Sequence, residues 1–238
     1  MTIRAIHDLA PGSGANRIAL VMLPGARGRP QDLVEHGFVR ALRERGLAVD
    51  AVAAAAPFDS YLDGSTVAQL ERDVIAPLRD GRRARIWLMG ISLGGMGALS
   101  YAREHAAAVA GLVLLAPYLG TRGLVAEVTR AGGLQRWQPG TIAPEDAERG
   151  LLAWLRQRRA GGPALRRTYL GYGTEDRYAP ASMLLARQLP GRNVVSVRGG
   201  HDWATWLTLW ERLLDRNVFA ARGASLPARN QSRRSGRR

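Results

Sequence analysis

The feature that most restricts how this chain can fold is a rhythm. Short runs bearing apolar and β-branched residues recur at "RIALVML" (17–23), "LAVDAVA" (47–53), "ARIWLM" (84–89), "VAGLVLLA" (109–116), "RRTYLGY" (166–172) and "NVVSVR" (193–198). Such runs, apolar on successive residues, read as strands buried on both faces. Between them, near 30–45, 65–79, 93–105, 180–189 and 203–215, apolar residues return at three- and four-residue spacing, the period of a helix with one buried face. Alternation of strand and helix implies an α/β fold, a mostly parallel sheet with helices on both faces. One interval breaks the pattern. Residues 117–165 exceed what a single crossover helix needs, so a short helical cap insertion is expected there, with "PEDAERGLLAWLRQRR" (144–159) its clearest helix.

Length and composition narrow the class. At 238 residues the chain suits one domain, expected over residues 1–220. It is 46% hydrophobic, too apolar for a disordered chain, yet no stretch reaches the roughly 18 consecutive apolar residues of a membrane span. The amino-terminal "MTIRAIHDLAPGSG" lacks the apolar core of a signal peptide, and a cytoplasmic protein is the expectation. The absence of cysteine removes thiolate catalysis and zinc-finger spacing. The net charge of +14 comes from 34 arginines with no lysine, a pattern that reads as compositional bias. Residues 221–238 hold six of these arginines, no acid and no apolar period, and are expected to form a disordered tail. A basic tail can bind nucleic acid or an anionic membrane, but no RNA-recognition or helix-turn-helix signature accompanies it, and no nucleic-acid partner is expected. The oligomeric state is not legible.

The chemistry concentrates in "IWLMGISLGGMGALS" (86–100), where an apolar run ends at Gly90, presents Ser92 and continues through Gly94, Gly95 and Gly97. G-x-S-x-G between a strand and a helix holds the serine on a sharp turn at the carboxyl edge of a parallel sheet, where open α/β folds bind ligands. A serine hydroxyl needs a base at neutral pH. Of the four histidines, His7, His36 and His105 fall before the core strands, within a helical pattern and near a helix end. His201, in "VVSVRGGHDWATW", follows the last strand and so reaches the same edge as Ser92. An orienting carboxylate belongs after the preceding strand, where "TYLGYGTEDRYAP" offers Asp176, with Glu175 as the nearest rival and Asp202 better suited to cap the final helix. The Pro-Gly turn of "VMLPGARGRPQD" can aim a backbone N–H of Ala26 into the cleft, alongside that of Leu93, to hold an oxyanion.

The order serine, acid, histidine and the segments "LPGARG", "GISLGG", "GTEDRYAP" and "GGHDW" resemble an α/β-hydrolase of the serine esterase type over residues 17–217. The resemblance implies an acyl-enzyme mechanism with Ser92, Asp176 and His201 as catalytic residues, Ala26 and Leu93 as oxyanion donors, and no metal or organic cofactor. The turn is not the H-G-G-G of one lipase and esterase subgroup. A small to medium carboxylic ester or thioester is the expected substrate, with Tyr61, Tyr118 and Trp137 as candidate pocket residues. An acyltransferase using the same triad and a non-catalytic binding protein on this fold are the alternatives.

Overall fold

In a computed structural model of the protein, residues 2–12, 17–82, 85–158 and 167–219 are described. Among the described residues, seven strands form one sheet: β1 (Ala5–Asp8), β2 (Ile18–Leu23), β3 (Val49–Ala54), β4 (Arg85–Ile91), β5 (Val109–Leu115), β6 (Thr168–Gly173) and β7 (Val194–Val197). Their order is β1-β3-β2-β4-β5-β6-β7, parallel throughout except for β1, which runs antiparallel to β3. The six apolar runs are thus the six parallel strands, shifted by at most a few residues. β1 was not foreseen: four half-exposed residues at a sheet edge carry no apolar signal.

The helices are α1 (Pro30–Glu35), α2 (Phe38–Glu44), α3 (Phe58–Leu62), α4 (Thr66–Leu70), α5 (Ala76–Arg82), α6 (Leu93–Glu104), α7 (Arg122–Arg130), α8 (Ala147–Gln157), α9 (Ala179–Ala186) and α10 (Trp203–Leu214). The helix expected over 30–45 is two, because Gly37 at φ 84° turns the chain out of the right-handed helix after α1. The segment near 65–79 likewise changes character, with a π-helical turn at Glu71–Ile75 joining α4 to α5.

Two cores flank the sheet. Every residue of β2 is buried, and its side chains divide by the two-residue period of a strand. Ala19, Val21 and Leu23 pack with α4, α5, α6, α8 and α9, while Ile18, Leu20 and Met22 pack with α1, α2 and α10. Between β5 and β6, the described part of the expected insertion holds α7 and α8. The helix expected over 144–159 runs from Ala147 to Gln157, started by Asp146, whose Oδ1 accepts the Arg149 N–H at 2.9 Å. The end of the insertion, 159–165, and the expected tail, 221–238, lie outside the described residues.

Chain direction across the sheet reverses at β2. Its successor β3 lies on one side and β4 on the other, so the turns after β2 and β4 stand side by side at the carboxyl edge. A cleft opens at such a switch point.

Candidate active site

Ser92 stands between β4 and α6 with φ 51° and ψ −115°, a conformation that costs a side-chain-bearing residue about 1–3 kcal/mol. Hydrogen bonds hold it there. The Ser92 N–H donates to the Leu115 carbonyl at 3.0 Å, and the Ser92 carbonyl accepts from the N–H groups of Gly95 at 2.9 Å and Tyr118 at 2.8 Å. The turn also needs room: a Cβ on Gly94 would sit 2.4 Å from the carbonyl oxygens of both Leu23 and Pro24.

The loops after β6 and β7 meet beside this turn. Thr174 donates its N–H to the Val197 carbonyl at 2.8 Å, and Glu175 to that of Gly199 at 3.0 Å, which locks the two loops together. Asp176 follows, its side chain fully buried, with Oδ2 2.7 Å from His201 Nδ1 and Oδ1 accepting the Tyr178 N–H at 2.7 Å. His201 Nε2 lies 3.0 Å from Ser92 Oγ. An ionised carboxylate only accepts, so the proton between Asp176 and His201 belongs to Nδ1 and leaves Nε2 free to accept from the serine hydroxyl. Glu175 points elsewhere, to Arg198 Nε at 2.7 Å on the surface. Asp202 caps α10, accepting the Thr205 N–H at 2.9 Å, and this hydrogen bond holds its carboxyl below the usual range.

Leu93 is the first residue of α6, so its N–H has no partner within the helix. Ala26 occupies a turn closed by the Gly28 N–H to the Gly25 carbonyl at 3.0 Å, and Gly25 abuts Ser92. Both Ala26 and Leu93 line a cavity of about 560 Å³ together with Ser92. Phe58, Tyr61, Leu62 and Met96 form its apolar wall. A second cavity, of about 340 Å³, shares Ser92 and Ala26 and includes His201, Arg27, Arg177 and Trp206. A third, of about 610 Å³ between α7 and α9, does not contain Ser92 and adjoins the site through Tyr118 and Tyr178.

Tyr61 and Tyr118 therefore stand at the Ser92 cavity. Burial raises the pKa of both phenols, and Tyr118 also donates to Glu148 Oε1 at 2.6 Å. Trp137 corrects the expectation. It is 2% exposed in the core, its Nε1–H donates to Glu127 Oε1 at 2.7 Å, and it lines neither cavity that contains Ser92. Its neighbours Glu127 and Arg149, on α7 and α8, show that its large ring fills the joint between these helices. The remaining histidines stand apart. His36 stacks on Trp203 at 4.3 Å, His105 on Tyr101 at 4.6 Å, and His7 lies in β1.

Sequence reasoning missed the rings that bracket the imidazole. Tyr178 approaches His201 edge-on at 4.8 Å and Trp206 stands perpendicular to it at 4.9 Å. Both fix the ring plane by packing. The signal lay in their position, two residues after Asp176 and on the first turn after His201. Among the described residues, no group of three or more His, Asp and Glu side chains is placed to hold a metal ion.

A family model described as serine aminopeptidase, S33, within the hydrolases matches residues 56–154. No curated protein matches the chain. Among solved structures, it is similar to MPT51 of Mycobacterium tuberculosis, at 17% identity with a TM-score of 0.63, over 92% of this chain and 93% of that one. It is also similar to the fluorophosphonate-binding serine hydrolase F of Staphylococcus aureus, at 11% identity and a TM-score of 0.61, over 91% and 98%. The S-formylglutathione hydrolase FrmB of the same organism aligns at 13% identity and a TM-score of 0.59, over 87% and 83%. At these identities the structural likeness speaks to the fold. Together with the matched segment, which covers less than half of the chain, it shows an α/β-hydrolase fold.

Proposed function

We propose that the protein cleaves small to medium carboxylic esters or thioesters through an acyl-enzyme at Ser92. The observation that carries this reading is the hydrogen-bonded chain from Ser92 Oγ to His201 Nε2 at 3.0 Å and from His201 Nδ1 to Asp176 Oδ2 at 2.7 Å. In the first step Ser92 Oγ attacks the carbonyl carbon while its proton passes to His201 Nε2. The carbonyl oxygen becomes an oxyanion, stabilised by the N–H groups of Leu93 and Ala26, and Asp176 stabilises the imidazolium. Collapse breaks the bond to the leaving oxygen or sulfur, which takes the proton from His201 and leaves the acyl group on Ser92. Water then repeats the sequence, giving up a proton to His201, attacking the acyl carbon and releasing a carboxylic acid and free Ser92. The names of two structurally similar proteins, both hydrolases, agree with this chemistry.

The test is a panel of p-nitrophenyl esters and acyl thioesters with acyl chains from two to twelve carbons, run on wild type and Ser92→Ala. Turnover that peaks at short to medium chains and falls by at least about 10³-fold in the variant supports the reading. Turnover of no member, or turnover equal in both proteins, overturns it.

A further inference from the structure

The two cavities that share Ser92 differ in which part of the proposed machinery they hold. The leaving atom must receive its proton from His201 Nε2, so it departs on the side of His201. That side is the 340 Å³ cavity; the 560 Å³ cavity contains Leu93 and Met96 but not His201, and so takes the acyl group. The charged side chains divide in the same way. Glu145 and Glu148 stand at the acyl cavity, with Asp146 beside them paired to Arg149 Nε at 3.4 Å, whereas Arg27 and Arg177 stand at the other. Asp32 also lines the leaving-group cavity, but it is committed to Arg29, accepting from Nη2 at 2.7 Å and from the backbone N–H at 2.7 Å.

We infer that Arg27 and Arg177 recognise an anionic group on the leaving alcohol or thiol, and that the acidic rim opposite rejects an anionic acyl group. Two observations single out these arginines from the many on this surface. Neither makes an ion pair among the described residues, although both face the same small cavity as the nucleophile. Arg27 also occupies a left-handed position, φ 61°, in the Gly25–Gly28 turn, where glycine would be unstrained. An arginine kept at a turn position that favours glycine points to a use for its side chain. Arg177 is held over the Tyr178 ring, its guanidinium carbon 4.9 Å from the centroid, and Tyr178 in turn packs on His201. The substrate class is therefore a short acyl ester or thioester of a carboxylate-bearing or otherwise anionic alcohol or thiol.

This inference rests on the proposed hydrolysis at Ser92, and the test separates the two. Three thioesters are compared: S-acetyl-3-mercaptopropionate, with the charge on the leaving thiol; its neutral amide analogue; and an S-succinyl thioester of the neutral thiol, with the charge on the acyl group. Released thiol is measured with a disulfide reagent, against which a protein without cysteine gives no background. The wild type should favour the anionic thiol over the neutral one by about ten-fold or more in kcat/KM at low salt, through KM, and should disfavour the succinyl ester. Arg27→Gln and Arg177→Gln should each remove about three- to five-fold of that preference, Arg27→Lys should restore part of it, and added salt should erode it. Arg192→Gln, which removes the same charge just before β7 at the opposite edge of the sheet, should leave the preference intact. Ser92-dependent turnover with the same preference in the Arg27→Gln, Arg177→Gln double variant, or an equal loss in Arg192→Gln, overturns the inference alone. No Ser92-dependent turnover of any thioester overturns it together with the proposed function.

Discussion

Gly94→Ala tests whether the serine turn depends on the close approach of α6 to the end of β2. The added Cβ would lie 2.4 Å from the carbonyl oxygens of Leu23 and Pro24 and 2.7 Å from the Leu23 carbonyl carbon. An ordinary contact would be about 1 Å longer, and every opposing atom is backbone, with no side-chain rotamer to yield. Overpacking against a yielding neighbour costs about 1–3 kcal/mol; against the end of a central strand the cost should reach about 3 kcal/mol or more. For a domain of this size that lowers Tm by about 6–12 °C. The atoms that must move lead directly to Ala26 on one side and Leu93 on the other, so turnover should fall about 10²-fold even below the melting transition. Gly123→Ala in α7 is the control. No heavy atom lies within 4 Å of its added Cβ, and the helix should gain about 0.5 kcal/mol. Thermal melts followed by circular dichroism, with ester turnover at 20 °C, read both effects. A Gly94→Ala protein that melts within about 2 °C of wild type and keeps its turnover would refute the steric reasoning.

Two further substitutions address the acid and the α7–α8 joint. Asp176→Asn should fold normally and lose about 10⁴-fold in kcat, because an amide favours the wrong imidazole tautomer, whereas Glu175→Gln should stay within several-fold, since Glu175 only meets Arg198 on the surface; ester kinetics would exclude Asp176 if the two results were exchanged. Glu127, bonded to Arg149 and Trp137, has its pKa lowered to about 2, chiefly by the Arg149 hydrogen bond. A depressed carboxyl stabilises the fold above its unfolded pKa and loses that contribution as pH falls towards its folded one. The Tm difference between wild type and Glu127→Gln should therefore be constant from pH 7 to about 5 and shrink between about pH 4.5 and 2; a difference that grows on acidification would contradict this.

The fold was legible because a parallel strand covered on both faces must be apolar at successive positions, as in β2, β4 and β5. Elements without that constraint were not: β1 is a short edge strand, and α3 spans five residues, too few to display a period. Ser92 and His201 could be nominated as partners because each follows a strand that ends at the same edge, and the structure brings them within 3.0 Å. The choice between Asp176 and Glu175 could not, since adjacent loop residues point in opposite directions only once Arg198 and His201 are in place. Trp137 failed for a related reason: an aromatic residue in an insertion looks the same in sequence whether it lines a pocket or fills a helix joint. Arg27 and Arg177 were hidden among 34 arginines; the cavity they share with Ser92, their lack of an ion pair among the described residues and the left-handed backbone of Arg27 distinguish them only in the folded structure.

Covalent labelling tests whether Ser92 is the nucleophile without knowledge of the substrate. Wild-type protein is treated with a fluorophosphonate, and intact mass and peptide mapping locate the adduct; Asp176→Asn and Ser92→Ala are treated in parallel. The expected result is one phosphonyl group per chain on the peptide containing Ser92, slower labelling in Asp176→Asn and none in Ser92→Ala. An adduct on another residue, equal labelling of Ser92→Ala, or a folded wild type that stays unlabelled while a known serine hydrolase reacts in the same tube would contradict it.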